Sequence, residues 1–156
     1  MDWALIEQKL ESLRRSVRRV KEKCPENAAV IANNYDAQDI LSLNISRAVQ
    51  MCVDIGTHLI AGTEYAAPVT MGQTFDILFD AGIISADLAA LMKKAVGFRN
   101  IAIHNYESIN WTIVFAIATA HLQDFEEFAK AIISYHGRST RCTGMNSSIT
   151  CSGEIY

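Results

Sequence analysis

Between residues 99 and 106 the chain reads Arg-Asn-Ile-Ala-Ile-His-Asn-Tyr. No other stretch sets so much polar chemistry among apolar residues. The Arg99 guanidinium is a fixed cation with a planar fork of donors, the His104 imidazole carries a proton near neutral pH, and Tyr106 offers a phenol. That set suits phosphoryl chemistry on RNA. Arg99 can hold a non-bridging phosphate oxygen and stabilise added negative charge. His104 can pass a proton to or from a ribose 2′-hydroxyl or the leaving oxygen. With the 2′-hydroxyl as nucleophile the reaction requires no metal.

Geometry constrains the idea. In one unbroken helix Arg99 and Tyr106 share a stripe, whereas His104, five residues beyond Arg99, lies about 140° around the axis. The three groups converge only if the helix ends near Ile103–His104, or if a second subunit closes the site. Asn100, Asn105 and the following Glu107-Ser108 favour such an ending. Spacing alone leaves a second reading open, a helix end carrying a hydrogen-bonded interface histidine.

The elements that must position this segment are helical. Trp3, Ile6, Leu10, Leu13, Val17 and Val20 make a heptad stripe over residues 2–23, with Asp2 as N-cap and Pro25 as the stop. Residues 26–35 form a connection, with room for some helix of its own. Asp36 is expected to cap a second long helix reaching about Ile60. Its apolar positions cover more than one face, so it is either central or buried against another subunit. Gly62 and Pro68 bracket a loop. A short helix over 72–80 ends at Gly82, and Ser85 caps a fourth helix with the stripe Leu88, Leu91, Met92, Ala95 and Phe98. A fifth is expected from about Ile109 to Ser134, capped by Ser108 or Asn110. No segment shows sustained strand alternation. The sequence therefore predicts an all-α, antiparallel bundle of four or five helices. Residues 1–136 make the domain. Ten of the twenty residues in 137–156 are Gly, Ser or Thr, which reads as a flexible tail.

Composition narrows the function. The chain has 156 residues, enough for one domain. Fourteen Lys and Arg against seventeen Asp and Glu give a net charge of −3, so binding to nucleic acid needs a local basic patch. Seven of those cations (Lys9, Arg14, Arg15, Arg18, Arg19, Lys21, Lys23) fall in the first 25 residues. They read first as a solvated helix face and second as phosphate contacts. The four cysteines match no zinc or redox spacing, and Cys52 reads as a core residue. No apolar run suggests a membrane span, and Met1-Asp2-Trp3 lacks a secretory pattern, so a cytoplasmic location is expected. Asp54 and His58 stand one helical turn apart, a spacing open to a metal half-site but more often a hydrogen bond; Asp54 could instead orient a residue of the 99–106 segment. Trp111 and Phe115 read as core before base-stacking, His121 as structural, and Glu126 as an i,i+4 partner of Lys130.

The segment Arg99–Tyr106 resembles the R-x4-H-x-Y signature of the HepT toxins, a branch of the HEPN superfamily, and Asn100 fits the polar position after the Arg. Asp36–Leu59, with Asp39, Asn44, Gln50, Asp54 and His58, resembles the family's second helix, and 71–84 and 110–133 resemble the flanking elements. The resemblance covers about residues 1–136. It implies a homodimeric, metal-independent endoribonuclease, with two motifs facing across the dimer cleft. Arg99 would stabilise the transition state, His104 act as general acid or base, and Asn100 orient the site. The products would be a 2′,3′-cyclic phosphate and a 5′-hydroxyl. It also implies a partner, an MntA-like nucleotidyltransferase antitoxin that uses ATP and magnesium to attach AMP to Tyr106. The nuclease itself would need no cofactor. The competing expectation is a non-catalytic helical subunit that binds a nucleotidyltransferase or nucleotide.

Overall fold

The computed structural model describes residues 2–144, and every regular element among them is helical. Helix α1 spans Trp3–Lys23, α2 Ala28–Ala32, α3 Tyr35–Ala61, α4 Met71–Asp80 and α5 Ala86–His104. A single 3-10 turn, Tyr106–Ser108, leads into α6 (Trp111–Ala116), a π-helical turn (Ile117–His121) and α7 (Leu122–Gly144). The last three run on as one interrupted rod. The result is the expected all-α bundle of four or five helices, with the short α2 following α1 in the chain and packing on α3 and α6.

The α1 stripe is the reason this helix docks. Ile6, Leu10, Leu13, Val17 and Val20 are all buried, and α1 packs on α3 more extensively than any other helix pair. The Asp2 carboxylate accepts from the Leu5 N–H at 3.2 Å, satisfying an orphan donor of the first turn. Helix α3 is central. It also packs on α4 and α5, which is why its apolar residues cover several faces. Cys52 is fully buried in it, and burial pushes its thiol pKa well up. Phe75 of α4 meets Phe128 of α7 edge-on, with centroids 6.0 Å apart. Such fully buried side chains each contribute about 1.5–3 kcal/mol through burial.

Two glycines matter for this packing. At Gly56 of α3 a Cβ would stand 2.6 Å from the Thr74 methyl carbon and 3.0 Å from Leu78 Cδ1, so only glycine lets α4 approach this closely. Gly82, at φ +73°, ends α4. Its N–H reaches the Phe79 carbonyl and the Ile83 N–H the Leu78 carbonyl, both at 2.9 Å, the paired bonds of a left-handed C-terminal cap.

Several expectations are corrected, and one open choice, the cap of α6, is resolved. The cap of α3 is Asn34, whose side chain accepts from the Ala37 N–H at 3.0 Å; Asp36 lies in the first turn. Both residue types accept such bonds, so composition could not choose between them. Asn110 rather than Ser108 caps α6. Glu126 pairs with Lys21 of α1 instead of Lys130. Helix α7 runs beyond residue 136 to Gly144. Lengthening a formed helix avoids the nucleation cost, Trp3 stacks on His136 at 3.7 Å, and the Thr140 hydroxyl donates back to the His136 and Gly137 carbonyls. The rest of the expected tail, 145–156, lies outside the described residues. Among the described residues no helix is long and apolar enough to cross a membrane.

Candidate functional site

Helix α5 ends at His104, and Asn105 (φ −149°, ψ 65°) turns the chain. This is the ending that convergence requires. The 3-10 turn then carries Tyr106 back over α3. There the phenol donates to Asp39 Oδ1 at 2.7 Å, and its ring meets Trp111 edge-on with centroids 5.9 Å apart. Trp111 therefore supports the phenol from the side. The Tyr106 pKa is raised, first by desolvation, then by the hydrogen bond to Asp39, with the charges of Asp39 and Glu107 adding and a hydrogen bond with Ser42 opposing.

Arg99 is held from the other side of the same groove. Its Nη2 donates to Gln50 Oε1 at 3.0 Å. Gln50 Nε2 donates to Asp54 Oδ1 at 2.8 Å, and Lys9 Nζ donates to Asp54 Oδ2 at 3.2 Å. A chain of side chains from three helices thus ends on the guanidinium. Asn100 Oδ1 lies 3.4 Å from Arg99 Nη1, a long contact.

Between α3 and α5 these residues line a groove of about 480 Å³ whose walls include Asp39, Ser42, Arg47, Gln50, Arg99 and Tyr106. A second groove, lined by Arg15 and Arg19 of α1, shares Asp39, Leu43 and Arg47 with the first. The basic cluster of α1 is thereby divided. Arg15 and Arg19 face the candidate site, whereas Arg14, Arg18 and Lys21 line a separate groove between α1 and α7. Leu43 and Ile103, both about half exposed, add apolar surface beside the site.

The structure brings Arg99 and Tyr106 into one groove. His104 does not line it and stands exposed at the helix end. The alternatives for Asp54 and His58 are settled by their partners: Asp54 serves Gln50 and Lys9, while His58 Nε2 accepts the Asp2 backbone N–H at 3.3 Å. Among the described residues no three His, Cys, Asp or Glu are grouped to hold a metal. His121 lies 3.3 Å from Asp124 through Nδ1. Sequence reasoning read Lys9 as part of a solvated or phosphate-contacting face and gave Gln50 no partner; the structure sets both on Asp54. The i,i+4 spacing of Gln50 and Asp54 was visible, but their cationic partners come from distant helices.

The all-α bundle, with Arg99, His104 and Tyr106 about the end of one of its helices, is the arrangement that the HEPN resemblance anticipates. The profile of the family described as Ribonuclease HepT-like matches residues 6–132, and the chain belongs to that family. It is 30% identical over 128 residues to the mRNA nuclease HepT of Shewanella oneidensis, covering 82% of this chain and 96% of that one. With the tRNA nuclease HepT of Aphanizomenon flos-aquae it shares 25% identity over 133 residues, 84% and 89% of the two chains. The fold superposes with a TM-score of 0.79, at 29% identity, on the tri-AMPylated Shewanella oneidensis HEPN toxin solved in complex with MNT antitoxin, covering 86% of this chain and 99% of that one.

Proposed function

We propose that this chain is a metal-independent endoribonuclease toxin, silenced when an MntA-like nucleotidyltransferase adds AMP to Tyr106. One observation carries the reading: the oriented Arg99 guanidinium and the Tyr106 hydroxyl share a single groove. In the cleavage step the ribose 2′-oxygen attacks the adjacent phosphorus and the bond to the 5′-oxygen breaks. A 2′,3′-cyclic phosphate and a 5′-hydroxyl result. Arg99 holds a non-bridging oxygen as charge builds. His104 moves a proton between the 2′-oxygen, solvent and the leaving 5′-oxygen, and Asn100 steadies Arg99. Because His104 lies outside the groove of its own chain, a homodimer supplies it from across the cleft, and the exposed Leu43 and Ile103 suit the shared face. The adjoining groove with Arg15, Arg19 and Arg47 receives the phosphates flanking the scissile bond.

AMP on Tyr106 would place a phosphate beside Arg99 and fill the groove, so inhibition is both electrostatic and steric. The relative crystallised with its antitoxin is tri-AMPylated, which supports a modification of this kind. ATP and magnesium serve the antitoxin, not the nuclease.

His104→Ala tests the nuclease. Cleavage of RNA and growth arrest should fall at least about 10²-fold with thermal unfolding unchanged, because the side chain is exposed. Undiminished cleavage would remove His104 from the mechanism, whereas a wild type that cleaves no RNA would leave the competing role, a non-catalytic partner of a nucleotidyltransferase.

A further inference from the structure

Transfer of an adenylyl group to a phenol needs somewhere for the phenolic proton to go. We infer that the toxin brings its own proton acceptor: Asp39 is the general base for the first adenylylation of Tyr106. The inference rests on the reading above that Tyr106 is the modified residue.

The geometry is already that of a poised pair. Tyr106 Oη donates to Asp39 Oδ1 at 2.7 Å, within the range for proton transfer. The acceptor sits one turn inside the start of α3, a rigid element, while the donor is steadied by Trp111. The groove beside the pair is open to solvent, and Tyr106 is itself 38% exposed, so a nucleoside triphosphate held by a second protein can reach the hydroxyl.

The phenol also needs the help. Burial and the neighbouring carboxylates hold its proton more tightly than usual, so spontaneous phenolate is scarce near neutral pH. The other charged groups about it are Glu107 on its own turn, Arg99 on α5 and Arg47 on α3. The arginines offer no acceptor, and it is Asp39 that holds the phenolic hydrogen bond. In the step, a bond forms from Tyr106 Oη to the α-phosphorus of ATP. The bond from that phosphorus to the oxygen bridging to the β-phosphate breaks. Its electron pair leaves with pyrophosphate, and the phenolic proton passes to Asp39 Oδ1. Arg99 and Arg47 lie along the same groove, where they can meet the α-phosphate charge.

This arrangement makes an order-dependent prediction. Any second AMP must attach to the first nucleotide, not to the phenol, and is out of reach of Asp39. Loss of the carboxylate should therefore slow only the first addition.

The test is intact-mass kinetics of the full chain with an MntA-type nucleotidyltransferase, ATP and magnesium, comparing wild type with Asp39→Asn and Asp39→Glu. Asp39→Asn keeps a hydrogen-bond acceptor and loses the base. We expect the first increment to slow about 10²-fold, with later increments following at the wild-type rate and Asp39→Glu recovering part of the loss. The ratio of wild-type to Asp39→Asn rate should shrink as pH rises, because ionisation of the phenol replaces the base. A wild-type first-addition rate in Asp39→Asn, a pH-independent ratio, or equal slowing of every increment would overturn the assignment and leave the modification itself standing. If wild type gains no AMP, the modification reading falls, and this inference with it.

Discussion

Arg99 and His104 belong to one helix, five residues apart, yet they are treated very differently by the fold. The guanidinium is half-buried and gripped by a chain of polar side chains drawn from α1 and α3. The imidazole projects at the helix terminus, exposed and outside the groove. The cation is thus oriented before any substrate arrives, at a cost already met during folding, which is how electrostatic stabilisation becomes effective. Under the proposed mechanism the proton carrier, His104, is left to be placed by something outside the chain. On this view a single protomer holds half of a site.

The sharpest way to break that contrast is complementation. Arg99→Ala and His104→Ala should each be inactive alone under the proposed mechanism, and mixing them should restore activity if each site takes its cation from one protomer and its imidazole from the other. Half the dimers are then mixed, and one of their two sites is intact, giving about a quarter of the wild-type rate under two-fold symmetry. No recovery, with mixed dimers shown to form by native mass spectrometry, would mean that both groups act within one chain.

A smaller effect is expected at the grip on Arg99. Gln50→Leu removes the acceptor at 3.0 Å and should lower kcat about tenfold with little change in KM, since orientation matters most in the transition state. Equal changes in KM and kcat would assign Gln50 to substrate binding instead. Least visible in activity is Gly56→Ala. The new methyl would meet the buried Thr74 side chain, and overpacking of this kind costs about 1–3 kcal/mol. Denaturant unfolding should register it, while activity per folded molecule stays near wild type.

Much of the architecture was legible because it is local. The α1 stripe, the Asp2 and Ser85 caps and the Gly82 stop each rest on residues within a turn of one another. The chemistry around 99–106 was legible as residue types, and the helix end at His104 was legible from its polar neighbours. What the sequence did not yield depends on long-range partners. Glu126 had an acceptable cation at Lys130, and only the packing of α7 on α1 gives it Lys21. Likewise, nothing within a turn of Gln50 foretells that Arg99, 49 positions later, will lie against it. The π-helical turn at 117–121 is a further case. It inserts an extra residue into an otherwise continuous apolar pattern, which periodicity reads as helix either way.

The identity of Gln50 has one more consequence. It stands between the Asp54 carboxylate, itself paired with Lys9, and the Arg99 guanidinium. An amide carries no net charge, so it passes on direction without passing on neutralisation. Arg99 keeps its positive field for an arriving anion, and among the described residues it makes no ion pair that has to be torn apart first. The protein has in effect placed an insulator where a wire would have drained the terminal.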